Sequence, residues 1–194
     1  MSTVLSPVTA TDHWAAAHGV LLFDTAIGRC GIAWAERGVV GVQLPERDER
    51  RTQARLLARV PGTVRGSTPP PAVQRAVHGI VALLGGEAVD LSFVTIDMDR
   101  IPAFDRRVYE IVRLVPPGET CTYGEVASRA GAPREARAVG QALGRNPFAI
   151  VVPCHRVVAA DGSLGGFSAH GGAATKRTML TIEGVRLTTA ATLF

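Results

Sequence analysis

Ile150-Val151-Val152-Pro153-Cys154-His155-Arg156-Val157-Val158 is the stretch around which the chain is organised. An apolar run of strand composition reaches a proline, and a thiol, an imidazole and a guanidinium follow at once. A thiol is a weak nucleophile until its thiolate is favoured, and neighbouring cations lower a free pKa of about 8.5. Arg156 and a protonatable His155 are such neighbours in sequence. Pro153, with fixed φ and no N–H, ends a strand ladder and sets the angle at which Cys154 leaves it. A free cysteine is often only a small core hydrophobe, but a core strand does not run into His-Arg without partners for them. Metal binding is disfavoured, because no second cysteine or Cys-x-x-Cys stands close by to complete a tetrahedral set. Hydrolysis by a Cys154–His155 pair is disfavoured too, since side chains of adjacent residues point apart.

Upstream of this stretch the apolar period is helical. Phe104, Val108, Ile111, Val112 and Val115 share one face, and Pro116-Pro117-Gly118 ends that helix. Thr122 is placed to cap a second helix over 123–130, Gly131 marks a turn, and Pro133 stands where a third helix, 134–145, would begin. Two short helices around a glycine-containing turn fit a helix-turn-helix, and fit an ordinary αα-corner equally well. The third helix carries Ala136, Ala138, Gly140, Ala142 and Gly144 among Arg134, Arg137 and Arg145. Small residues of this kind serve tight helix packing or the close approach of a phosphate backbone. Asn146-Pro147 then predicts a sharp reversal.

The 194 residues, 46% of them hydrophobic, suffice for one domain or two small ones. No segment approaches a membrane span, and residues 1–11 lack the basic-then-apolar order of an export signal. Cys30, Cys121 and Cys154 form no disulfide framework, which suits a reducing compartment, and the cytoplasm is the expected one. The net charge is +4, and all of the excess lies in 101–194, with 11 basic and 7 acidic residues against 10 and 10 in 1–100. Of the 21 basic residues 20 are Arg, whose planar fork suits phosphates. Charge of this size does not by itself separate a DNA-binding protein from others.

The first half reads as a small α/β unit. Residues 30–35 and 39–44 flank Glu36-Arg37-Gly38 as a hairpin, 48–60 form a helix with Asp48 as N-cap, and 61–71 form a loop. Residues 72–84 form a second helix stopped by Gly85-Gly86, and 91–96 a further strand. His13, His18 and His78 are scattered singly and read as structural or solvated. In the second half, Asp161-Gly162-Ser163 predicts a hairpin turn and 175–184 a closing helix. The fold class expected is α/β: an N-terminal lobe, 1–100, and a mostly helical domain, 101–194, holding the helix-turn-helix and Cys154.

Several motifs occur in one order: Tyr123-Gly124-Glu125-Val126-Ala127, Ala136-Arg137-Ala138-Val139-Gly140, Asn146-Pro147, Pro153-Cys154-His155-Arg156-Val157, and the run from Lys176 to Glu183. Over about 104–184 the chain resembles the O6-alkylguanine-DNA alkyltransferases, the methylated-DNA–protein-cysteine methyltransferases. The resemblance implies a monomeric repair protein acting once on double-stranded DNA. It would move an alkyl group from guanine O6, with O4-alkylthymine a second substrate, to Cys154, without cofactor or metal. It implies that His155 relays the thiol proton through water, that Glu183 orients His155, and that Tyr123 donates to the leaving guanine. Arg137 would fill the gap left by the extruded nucleotide, on a helix bearing Ala136, Arg134 and Arg145 that enters the minor groove. Asn146 would brace the turn before the cysteine, and Val157, Phe167 and Ser168 would shape the pocket. Phe167 stands where the family usually has tyrosine, and the segment to Lys176, with His170-Gly171-Gly172, is two residues longer. The alternative within the resemblance is a DNA-binding sensor of alkylated bases, although such proteins lack the cysteine.

Overall fold

The computed structural model describes residues 19–60 and 68–186. The expectations for 1–11, His13 and His18, and most of the 61–71 loop, lie outside the described residues. The fold is mixed α/β. Strands β1 (Gly19–Thr25), β2 (Gly28–Ala35) and β3 (Gly38–Gln43) form an antiparallel sheet in that order. Period-2 alternation sends Ile32 and Trp34 to one face of β2 and Ala33 and Ala35 to the other, and all four are buried. Helix α1 (Glu49–Arg59) covers the alanine face through Leu56, beside Val60. Helix α2 (Pro71–Leu84) covers the other through Val73, Ala76, Ile80, Leu83 and Leu84. Asp48 caps α1 by accepting from the Arg51 amide at 2.8 Å. Such a cap contributes about 1 kcal/mol.

The second half packs α3 (Ala103–Val112), α4 (Tyr123–Arg129) and α5 (Ala136–Gly144) around Val108, Tyr109, Val112, Val126, Val139 and Leu143. Thr122 and Glu125 form a capping box at the start of α4. The Tyr109 hydroxyl donates to the Ala142 carbonyl at 2.9 Å and ties α3 to α5. Strands β4 (Cys121–Thr122) and β5 (Val157–Val158) pair in parallel, and α6 (Ala173–Ile182) is the last element among the described residues, followed by Gly184 at φ +80°. The core on the α2 face of the sheet also contains Ile150, Val151 and Met179, so the segment before Cys154 and helix α6 pack directly on the first half.

Four local expectations are corrected. Residues 91–96 are not a strand: only Ile96 bridges, to Val39, while Arg113 Nη2 takes the carbonyls of Ser92 and Val94 at 2.8 Å. Helix α5 begins at Ala136 instead of 134, because the Glu135 amide is bound to the Ala132 carbonyl in a turn that leaves Arg134 outside the helix. Asp161-Gly162-Ser163 turns as predicted, with the Ala159 amide donating to the Ser163 carbonyl at 2.9 Å, but no strand follows it to make a hairpin. The run 150–152, finally, is not a strand. The Val151 amide donates to the Ala149 carbonyl across Ile150, whose φ is +74°. That is a γ-turn of the rarer, positive-φ kind, strained for a β-branched residue. The burial of Ile150, 1% exposed, holds it there.

Candidate active site and nucleic-acid interface

Two successive turns present Cys154. After the γ-turn at Ile150, Pro153 sits at φ −79°, ψ 64°, with the Cys154 amide donating to the Val152 carbonyl at 2.8 Å, an inverse γ-turn. Residues Cys154–Arg156 then form one 3-10 turn leading into β5. Asn146 clamps this segment: its Nδ2 donates to the Val152 carbonyl and its Oδ1 accepts from the Phe148 amide, both at 2.9 Å. The side chain is buried, so these bonds replace solvent as its partners.

Behind the cysteine lies a buried polar set. His155 Nε2 is 2.8 Å from Glu183 Oε1, and Arg156 donates to both Glu183 oxygens at 2.8 Å and to the Val115 carbonyl at 2.6 Å. Burial alone would push the Glu183 carboxyl up, but the hydrogen bonds from His155 and Arg156 hold it at about 2. Burial pushes the His155 imidazole below its ordinary value. At neutral pH the pair is therefore a carboxylate accepting from a neutral imidazole, whose buried Nδ1 has no partner among the described residues.

This overturns the expectation that His155 and Arg156 lend their charge to the thiolate: His155 is neutral and Arg156 is spent on Glu183. Burial pushes the Cys154 thiol up, while a hydrogen bond from Asn146 and the ammonium of Lys176 act the other way. The resting group is thus a thiol and needs a proton acceptor. Lys176 is fully buried; Nζ donates to the Val157 carbonyl at 2.6 Å and to the Leu164 carbonyl, and sits 5.8 Å from the Tyr123 ring centroid. Burial lowers it to about 8.

Cys154 is half-buried and opens on a cavity of about 540 Å³. Ala136, Gly140 and Gly144, four residues apart along α5, form one wall with Arg137 beside them, and Tyr123, Phe167 and Ser168 face them. The Gly165 backbone, at φ +66°, closes under Tyr123: a Cβ there would lie 3.1 Å from the tyrosine oxygen. The structure so brings Cys154, Tyr123, Ala136, Arg137, Phe167 and Ser168 to one cavity. His155, Glu183 and Asn146 stand behind it. Val157 is buried in β5, its carbonyl bonded to Lys176. Arg134 is exposed on the turn before α5. Arg145 is exposed at the end of α5, with its guanidinium bonded to Asp105 at 3.1–3.2 Å. Among the described residues no group of His, Cys, Asp and Glu could hold a metal ion, and no helix is long and apolar enough to cross a membrane.

Three residues at the site were not singled out from sequence. Lys176 carried a signal, as the one lysine among 21 basic residues. Arg55 and Arg59 carried none. They reach from α1 to the Ser168 and Asn146 carbonyls, each at 3.2 Å, across 113 and 87 residues of chain.

Comparison with known proteins is consistent with this geometry. Residues 103–185 match the family model "6-O-methylguanine DNA methyltransferase, DNA binding domain". A methylated-DNA–protein-cysteine methyltransferase of Methanothermobacter thermautotrophicus is 37% identical over 81% of this chain and 80% of its own length. One from Mycobacterium tuberculosis is 41% identical over 74% and 86%. The crystal structure of Mycobacterium tuberculosis OGT in complex with DNA superimposes with a TM-score of 0.69 at 34% identity, covering 85% of this chain and 92% of that one.

Proposed function

The chain belongs to the methylated-DNA–protein-cysteine methyltransferase family, and from that premise we propose how its own residues carry out alkyl transfer from DNA. A thiol in a pocket cannot reach a base inside a duplex, so the alkylated guanine is rotated out into the cavity beside α5, at an unstacking cost of about a few kcal/mol. Arg137, exposed at the rim, takes its place in the stack, and Ala136 lets the helix come close. Arg134 contacts phosphate. Arg145 serves the interface only through the face its bond to Asp105 leaves open.

His155 Nδ1, through a water molecule, accepts the Cys154 proton, and the carboxylate of Glu183 stabilises the imidazolium that forms. The thiolate attacks the alkyl carbon; the S–C bond forms as the C–O6 bond breaks, and the electron pair leaves with guanine. Tyr123 donates a proton to the leaving base, which ends as neutral guanine, and the proton held on His155 returns through water to restore the tyrosine, so the thiol's proton is the one guanine gains. Asn146 keeps the thiol in register, the Val157 and Ser168 backbones read the base, and Phe167 packs on the alkyl group. The thioether is not hydrolysed, so each molecule acts once.

The division of labour makes 101–194 the DNA-binding and transfer unit and 1–100 its support, in a cytoplasmic monomer. One observation carries this reading: a cysteine that is a resting thiol opens on a base-sized cavity, with a neutral imidazole on a carboxylate at its back. Intact-mass measurement after incubation with an O6-methylguanine duplex tests it. A gain of one methyl per molecule on Cys154 is expected; bound DNA with unchanged mass would mark a sensor instead, and repeated turnover a hydrolase.

A further inference from the structure

A second, narrower cleft reaches Cys154 from the side of the first half, lined by Gln43, Arg55, Arg59, Asn146, Cys154 and Ser168 among others. Its walls are unequal in charge. Glu46 accepts from Arg55 Nη1 at 2.9 Å and from Gln43 Nε2 at 3.3 Å, so this carboxylate is engaged by one of the two arginines. Arg59, the last residue of α1, instead sends Nη1 to the Asn146 carbonyl at 3.2 Å. A basic residue in the last helical turn usually answers the helix dipole. Arg59 does more than that, because its bond lands on the residue whose side chain clamps the cysteine segment through Val152 and Phe148. Its guanidinium is half-buried and stays charged, since arginine is not deprotonated in proteins.

Resting on the transfer reading above, we propose that Arg59 is a positioning residue of the Cys154 site, holding the Asn146 turn and placing a permanent positive charge beside the thiolate. The other groups around the sulfur leave room for such a contribution. Tyr123 of α4 and Tyr109 of α3 are neutral, both pushed up by burial. Glu183, reached through His155, is neutralised by Arg156. Lys176 of α6, lowered to about 8, is a further cation and is itself titratable near the working pH. Arg55, in the same cleft, is engaged by Glu46, which leaves Arg59 as the cleft's cation that is neither bonded to a carboxylate among the described residues nor lost as the pH rises. The N-terminal half then serves chemistry as well as scaffolding.

The experiment is single-turnover methyl transfer from a saturating O6-methylguanine duplex to the full chain, followed from pH 6 to 9.5. Arg59→Gln, Arg59→Lys and, as a control on the exposed side of the same helix, Arg50→Gln are compared with the unaltered protein. Arg59→Gln is expected to move the pH midpoint of the rate up by about one pH unit, giving about tenfold slower transfer near pH 7 and convergence at high pH. Arg59→Lys should recover most of the difference, and Arg50→Gln should match the parent. A rate lowered by one factor at every pH, or an unchanged profile, overturns the proposal. Should Arg59→Gln lose its cooperative thermal transition, Arg59→Met, which keeps the apolar stem, is read in the same way, and failure of both to fold makes Arg59 structural and overturns it too. An unaltered protein that captures no methyl counts against the transfer reading, not against Arg59 alone.

Discussion

His155 Nε2 and Glu183 Oε1 stand 2.8 Å apart in the interior, with the Arg156 guanidinium closing the other side of the same carboxylate. Glu183 is thus shared between a group the mechanism uses and one that neutralises it. Glu183→Gln removes the charge and leaves Arg156 buried without its counter-ion. The expected cost is about 3 to 5 kcal/mol of stability, read by denaturant unfolding. Transfer by the folded fraction should slow about a hundredfold or more, because the imidazolium loses its support. A variant within 1 kcal/mol of the parent, by order of magnitude, would show that water reaches the pair.

Acid should unfold the protein in two stages. Glu183 is held at about 2 against 4.5 for a free carboxyl, so its contribution is complete above pH 4.5 and is lost as the pH falls toward 2. That contribution is on the order of 3 kcal/mol. His155, lowered from 6.5 by burial, acts in the same direction: its contribution is complete above pH 6.5 and declines below it as the unfolded chain takes up the proton. Thermal midpoints should therefore begin to fall below pH 6.5 and fall more steeply below 4.5. In Glu183→Gln the steeper lower segment should shrink; an identical slope in both proteins would assign it to other carboxylates.

Cys154→Ala should abolish methyl capture while duplex binding stays within about twofold, since in the proposed mechanism the thiol does chemistry and α5 does docking. Arg137→Ala should slow repair in duplex DNA about tenfold or more and leave reaction with free O6-benzylguanine nearly unchanged, because the free base leaves no gap to fill. Equal losses on the two substrates would take Arg137 out of that role.

Much of this was legible because it is local. The Asp48 cap, the Thr122 cap and the glycine after α6 are written within a few residues of where they act, whereas α3 ends at Val112, short of Pro116. The run before Cys154 departs from its strand composition for a tertiary reason. Its β-branched composition is that of a strand, yet the Asn146 clamp and the burial of Ile150 in the sheet's core hold it in a γ-turn. The charge of Arg156 was likewise assigned to its sequence neighbour, when Glu183 had claimed it from 27 residues away. Arg59 could not be found at all without the fold, because nothing in α1 announces that its last side chain meets Asn146.

The loop from Phe167 to Lys176 borders the cavity only at its start. Gly166, Phe167 and Ser168 line the cavity, whereas His170, Gly171 and Gly172 do not. Those three residues turn outward into α6: the Gly172 amide donates to the Ala169 carbonyl at 3.0 Å, and Thr175 Oγ1 donates to the His170 carbonyl at 2.6 Å. Gly171 and Gly172 have φ of +82° and +52°, and a Cβ on Gly171 would collide with Thr175 Oγ1. Residues 170–172 thus form a glycine-dependent turn before the helix, outside the cavity lining. With Phe167 offering an apolar ring without a hydroxyl and about 540 Å³ of space, substituents larger than methyl should be accepted. O6-benzylguanine in an oligonucleotide should react within about tenfold of the rate for O6-methylguanine. Gly171→Ala, strained at its φ and in collision with Thr175, should lower the thermal midpoint and slow both substrates alike. Refusal of the benzyl group by the unaltered protein, relieved by deleting Gly171 and Gly172, would show instead that the loop folds inward over the bound base.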